Sequence, residues 1–120
     1  MKVKYVNPFI AATVNLFREF LGLKLESGKP YVLPDPQDLM EVSGIIGLAG
    51  ETVGAVVLSF SRETAIAVIS KMEQTTYTAL GGEVIDGVGE LVNIIAGNAK
   101  KDLLEFRIEI SLPGVITGNS

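Results

Sequence analysis

The chain has 120 residues and a formal net charge of −4, which is the length of one domain and enough to bury a core. It contains no Cys, His or Trp, which excludes a histidine base, a Ser-His-Asp triad, a thiolate nucleophile and a thiolate zinc site. The ten Lys and Arg residues are scattered, so no basic stripe matches a nucleic-acid backbone. No apolar run approaches the roughly 20 residues that a membrane-spanning helix needs, and no secretory cleavage site is evident. We therefore expect a cytoplasmic protein with neither a nucleic-acid nor a membrane partner.

The first predicted element is a helix. Apolar side chains recur at three- and four-residue spacing over residues 3–21, which is typical of an amphipathic helix. Asn7 precedes Pro8 and is able to cap the first turn, and Gly22 is placed to end the last one.

A strand pair is expected after a proline-rich connection. Residues 24–37 hold three prolines and a glycine, so we expect at most one short strand there, around residues 31–33. Residues 39–48 and 52–60 are rich in Val, Ile and Leu, and a turn-prone Ala-Gly-Glu link at 49–51 joins them. This pattern predicts a β-hairpin.

Two more helices and a strand are predicted in the second half. Ser61 is a good N-cap for a second helix, because apolar residues recur at helical spacing after it. A third helix is expected from near residue 78 to about 105, and residues 106–111 then alternate as a half-buried strand does, with Pro113 closing that strand. The order α-β-β-α-α-β predicts one α+β domain, with helices packed on an antiparallel or mixed sheet.

The third helix has two distinct faces. At about 100° per residue, one set of apolar residues falls within about 80° of arc and forms the predicted buried stripe: Val84, Val88, Leu91, Ile95 and Ala99. On the opposite side Asp86, Glu90, Asn93 and Gly97 cluster within about 60° of one another.

A polar helix face is most simply interpreted as solvated, but two details favour a partner. Gly87, Gly89 and Gly97 lie in or beside this face, although each glycine costs roughly 1 kcal/mol against Ala in a helix interior. Asn93 has a lower helix propensity than Lys, Glu or Gln, which would suit a position exposed only to solvent. A closely approaching partner would explain both details.

Residues 89–98 lie in a pattern that resembles the signature of the CheC/CheX/FliY chemotaxis phosphatases. That signature has Asp or Ser, three residues, Glu, two residues, Asn and a later Pro. Asp86, Glu90, Asn93 and Pro113 occupy these places.

The resemblance extends over nearly the whole chain, including residues 42–70, and is closest to the CheX-like members because no Glu precedes Asn15 in the first helix. Asn93 and Pro113 have 19 residues between them, slightly fewer than in the family pattern, so we expect a tightened loop before the last strand. CheX-like proteins usually continue into further strands beyond the position of Ser120. We therefore expect either a truncated chain or a partner that covers an exposed sheet edge.

The resemblance implies a CheC-like fold and a phosphatase that removes the phosphoryl group from the phospho-aspartate of a CheY-type response regulator. In that case Asn93 would position the attacking water and Glu90 would dock the regulator through its lysine. Asp86 would extend that docking contact, and Gly97 would let the partner approach closely. An amide suits this role because it brings no negative charge toward the phosphoryl oxygens.

The remaining expectations concern partners and cofactors. The Mg²⁺ of the reaction would belong to the regulator, because the sequence offers no cage for a hard cation. The resemblance also implies a symmetric homodimer. The alternative is a non-catalytic module that docks a response regulator or a flagellar-switch component, in which Glu90 matters and Asn93 is incidental.

Overall fold

The computed structural model of the chain describes residues 3–25 and 39–118, and the strand expected around residues 31–33 lies outside that part. Within these ranges, three helices pack on a four-stranded antiparallel sheet, which confirms the predicted α+β class. The elements in chain order are α1 (Val3–Leu21), β1 (Val42–Gly50), β2 (Gly54–Phe60), α2 (Arg62–Glu73), α3 (Gly82–Lys101), β3 (Ile108–Ile110) and β4 (Gly114–Thr117).

Strand β1 is the centre of the sheet. Along one edge it pairs with β2, from Val42 opposite Phe60 to Leu48 opposite Gly54. Along its other edge it pairs first with β4, where Val42 lies opposite Thr117, and then with β3. Each of the other strands therefore depends on β1 for its backbone hydrogen bonds.

Strand β3 ends before Pro113 as predicted, but the sequence did not predict β4, which follows Pro113 along the same edge of β1. A proline cannot donate a backbone hydrogen bond, so the ladder is interrupted there. Ser111 bridges the interruption: its N–H donates to the Gly47 carbonyl at 2.9 Å, and its hydroxyl accepts from the Gly47 N–H at 2.8 Å. The interruption is therefore a local break within a longer edge.

Helix α1 has the predicted bounds, but Asn7 does not cap it, since Asn7 and Pro8 lie inside the helix. Tyr5 holds the first turn of α1 in place through contacts with distant residues. Its hydroxyl donates to Glu51 at 2.7 Å, and its ring meets the edge of the Phe106 ring at 5.1 Å between centroids. The carboxylate acceptor raises the pKa of Tyr5 above its ordinary value.

The predicted hairpin and second helix are both present. Ser61 caps α2 as expected, with its hydroxyl accepting from the Thr64 N–H at 3.2 Å. Helix α3 is shorter at both ends than predicted. It begins after Gly81, a residue that offers no side-chain cap, and ends at Lys101, where the N–H of the C-cap residue Asp102 donates to carbonyls of the last turn. Apolar residues continue at helical spacing on both sides of α3, which explains why the predicted helix was longer than the observed one.

Candidate functional site

Helix α3 is anchored in the core along its apolar side. The predicted stripe of Val84, Val88, Leu91, Ile95 and Ala99 is confirmed, since each of these residues is 1% exposed or less. Val92 and Ala96 are also buried and widen the apolar side of the helix. The helix contacts α1, α2, β1 and β4, so most of its circumference is enclosed by the fold.

The opposite side of α3 carries the predicted polar residues. Asp86, Glu90, Asn93 and Gly97 are all exposed, and the structure places them along one face as the helical spacing predicts. We call these four residues the polar face. Among residues 3–25 and 39–118, no side-chain hydrogen bond or ion pair engages Asp86, Glu90 or Asn93. Their polar atoms are thus available to a partner, and their functional roles stay predictions.

The three glycines in the interior of α3 have different environments, which corrects part of the sequence interpretation. Gly87 is buried, and a Cβ there would lie 2.4 Å from Cγ2 of Ile69 in α2. Gly89 faces β4, with a Cβ position 3.4 Å from Cγ2 of Val115. These two glycines serve packing inside the chain, and of the three interior glycines only Gly97 has a Cβ position with no atom within 4 Å. Gly97 alone keeps the proposed role of admitting a partner.

Close packing fixes the position of α3. Opposite the buried side of the helix, a Cβ at Gly44 of β1 would lie 2.2 Å from Cγ2 of Val92. Together with the contact of Gly87 on Ile69, this brings α3 nearer to both β1 and α2 than any other residue type would allow. Packed interiors have little freedom to shift, so the polar face is held on a rigid support.

Sequence reasoning missed the contacts that hold the turn leading into α3. The Tyr77 N–H donates to the Ser70 hydroxyl at 3.0 Å, and the Tyr77 hydroxyl donates to the Glu73 carboxylate at 2.6 Å. This hydrogen bond is the main reason that the pKa of Tyr77 is raised to about 12. Glu73 and Tyr77 lie at either side of the end of α2, where helical periodicity gives no signal for such a contact.

The polar face carries two acidic residues, Asp86 and Glu90. Over residues 3–25 and 39–118, no three carboxylate side chains are grouped so that they could hold a metal ion. Asp86 and Glu90 lie one turn apart on the helix, and two carboxylates supply fewer oxygen atoms than the six or so that a hard cation requires. Of the helices in this part of the chain, none combines the length and apolar character that crossing a bilayer requires.

Comparison with known proteins relates this arrangement to one family. A family model described as "Chemotaxis phosphatase CheX" matches residues 42–120, which include the polar face. The CheY-P phosphatase CheX of Thermotoga maritima is 31% identical over 98% of this chain and 78% of its own length. The match over more than half the chain agrees with the resemblance found in residues 86–93.

Solved structures agree with the sequence match. A CheC-like superfamily protein from Shewanella sp. PV-4 superposes with a TM-score of 0.88 at 30% identity, covering 98% of this chain and 79% of that one. The CheX of a CheX–CheY–BeF₃–Mg²⁺ complex from Borrelia burgdorferi superposes with a TM-score of 0.80 at 31% identity, again covering 98% and 79%. The chain therefore belongs to the CheX family of chemotaxis phosphatases.

Proposed function

We propose that this protein is a phosphatase that hydrolyses the phospho-aspartate of a CheY-type response regulator in chemotaxis signalling. The observation that carries the proposal is the polar face itself. Glu90 and Asn93 stand exposed one turn apart on a rigid helix, at the spacing of the family signature. The CheY-P phosphatase among the relatives and the relative solved with CheY support the same substrate class.

The reaction requires positioning rather than a new nucleophile. A water molecule attacks phosphorus in line with the bond to the aspartate oxygen, that P–O bond breaks, and the products are inorganic phosphate and a free carboxylate. The transition state is loose, so a fixed acceptor that holds the water in line supplies much of the acceleration. The Asn93 carboxamide oxygen is suited to accept a hydrogen bond from that water, and it carries no negative charge to repel the phosphoryl oxygens.

Glu90 is assigned to docking. Its carboxylate would repel a phosphoryl group at close range, but it would attract a lysine of the regulator beside the phosphorylation site. Residues three apart on a helix have Cβ atoms about 5–6 Å from each other, so Glu90 and Asn93 can contact neighbouring groups of one partner. Asp86 lies one turn before Glu90 and extends the same acidic contact.

Gly97 and the regulator's metal complete the arrangement. With no atom within 4 Å of its Cβ position, Gly97 leaves a flat segment one turn beyond Asn93 on which the regulator's backbone can rest. The Mg²⁺ that neutralises the phosphoryl oxygens would be held by the regulator. This assignment is supported by the relative that was solved as a complex with CheY, BeF₃ and Mg²⁺.

The test is the lifetime of a phosphorylated CheY-type regulator with and without this protein. The parent protein should shorten that lifetime. Asn93→Ala should leave the thermal unfolding curve within about 0.5 kcal/mol of the parent, because the position is exposed. It should lower kcat by about 100-fold or more, with regulator binding nearly unchanged. A parent that binds the regulator and leaves its lifetime unaltered would instead be a non-catalytic docking module.

We also propose a symmetric dimer that acts in the cytoplasm. Within residues 39–118, β2 pairs on one side only, with β1, and so presents an edge to which a second copy could add. The cytoplasmic location follows from the proposed substrate class. Sedimentation of the purified chain at several concentrations tests the dimer, and a monomer at every concentration would refute it.

A further inference from the structure

The charges along α3 are separated by sign. Glu83, Asp86 and Glu90 occupy the first half of the helix, whereas Lys100 and Lys101 occupy its last turn. All five side chains are exposed. The helix surface is therefore negative at one end and positive at the other.

The two lysines lie on the same side of the helix as the polar face. Lys100 follows Asn93 by seven residues, which places it about 20° away around the helix and about 10 Å further along the axis. Lys101 follows Gly97 by four residues, about 40° around the axis and about 6 Å further along it. A partner that covers Asn93 and Gly97 would therefore reach both ammonium groups.

Neither lysine forms an ion pair within the part of the chain that the structure describes. Among the residues that the structure describes, the ion pair present is Arg18 with Glu19, on α1, and Lys100 and Lys101 have no carboxylate within 4.0 Å. Cations in a last turn stabilise the helix dipole, and Lys71 does the same at the end of α2. That effect does not depend on the angle around the helix, and both lysines lie on the exposed side that a docked partner would cover.

We propose that Lys100 and Lys101 form the cationic end of the docking surface and receive an acidic patch of the phosphorylated regulator. The inference rests on the proposed function, since it takes the regulator as the partner. The partner must then present a basic group opposite Glu90 and an acidic group about 15–16 Å away, opposite Lys100 and Lys101. A reversed orientation would set like charges against each other at both ends, so the charge order fixes which way the regulator lies on α3.

The test is charge reversal at the lysine end. In Lys100→Glu/Lys101→Glu, KM for a CheY-type regulator phosphorylated by a small-molecule donor should rise about tenfold or more at low salt, with kcat within about twofold of the parent. The difference should shrink at high salt, because screening weakens exposed charge pairs. The matched control is Lys71→Glu, which makes the same change in the last turn of α2 and should leave KM unchanged. Lys100→Arg/Lys101→Arg keeps the charges and should retain the parent KM.

A binding measurement separates this inference from the proposed function. Affinity for the same regulator treated with beryllofluoride requires no hydrolysis, so it reports docking even if the parent protein proves inactive. Weaker binding in Lys100→Glu/Lys101→Glu, but not in Lys71→Glu, supports the cationic end. Equal affinity of the folded double variant and the parent at low salt overturns it, and so does an equal loss in Lys71→Glu. Circular dichroism confirms that each variant is folded before it is compared.

Discussion

Replacing Gly87 with Ala should destabilise the protein, although alanine is the better helix former. The new Cβ would lie 2.4 Å from Cγ2 and 3.3 Å from Cδ1 of Ile69, and 3.0 Å from a carboxylate oxygen of Glu73. The carboxylate can move, but Ile69 is 0% exposed and has no free space to enter. Overpacking of this kind costs about 1–3 kcal/mol, and helix propensity returns at most about 1 kcal/mol. We expect a net loss of about 1–2 kcal/mol, or about 4–8 °C in Tm for a chain of this length.

Gly97→Ala is the matched control, since it makes the same change in the same helix at a position with nothing within 4 Å. It should stabilise the protein by up to about 1 kcal/mol. Urea unfolding, monitored by circular dichroism, gives the free energy of unfolding of both variants. Their midpoints can be compared if the m-values are equal. In an Ile69→Ala background the clash is absent, so Gly87→Ala should then cause no loss in the free energy of unfolding. If Gly87→Ala raises the midpoint as Gly97→Ala does, α2 and α3 are not packed as closely as described.

Three further predictions concern the polar face and the turn before α3. Glu90→Ala should weaken binding of the phosphorylated regulator and Glu90→Lys should weaken it more, with a smaller salt dependence in both; affinities that match the parent at low and high salt would refute the docking role. Gly97→Leu should remain folded yet lose at least about tenfold in kcat/KM, and full activity in the folded variant would mean that the regulator does not cover this position. The pKa of Tyr77 is raised from 10.0 to about 12 by its hydrogen bond to Glu73, so that bond stabilises the fold below pH 10 and its contribution falls as the pH rises toward 12. The difference in unfolding midpoint between the parent and Tyr77→Phe should accordingly shrink over that interval, and a constant difference would contradict the assignment.

The helices and the hairpin were predictable because their signals are local. Periodic apolar residues fix the face that each helix buries, and the Ser61 cap marks the start of α2 without reference to the rest of the chain. The polar face of α3 followed from the same periodicity, since residues opposite a buried stripe are exposed. Its chemical role required the family signature, because helical spacing alone does not distinguish a solvated face from a docking surface.

The features that sequence reasoning missed depend on distant partners. Strand β4 is four residues long and follows a proline, so it has almost no signal of its own, and it forms because β1 offers it a free edge. The packing role of Gly87 likewise depends on Ile69, which lies in another helix. A glycine on a helix wheel looks the same whether it admits a partner or a neighbouring side chain, and only the three-dimensional contact distinguishes the two.

The pairing of Val42 with Thr117 has a consequence for how the protein is made. The ribosome delivers β1 first, and the residue of β4 that pairs with Val42 follows 75 positions later along the chain. Until then, the nascent chain exposes an apolar central strand with unpaired backbone groups, which is the kind of surface that aggregates. Pairing across such a separation is also slow, because closing a long loop costs entropy before any contact repays it. Strand β1 is therefore the segment that a chaperone would be expected to shield during synthesis.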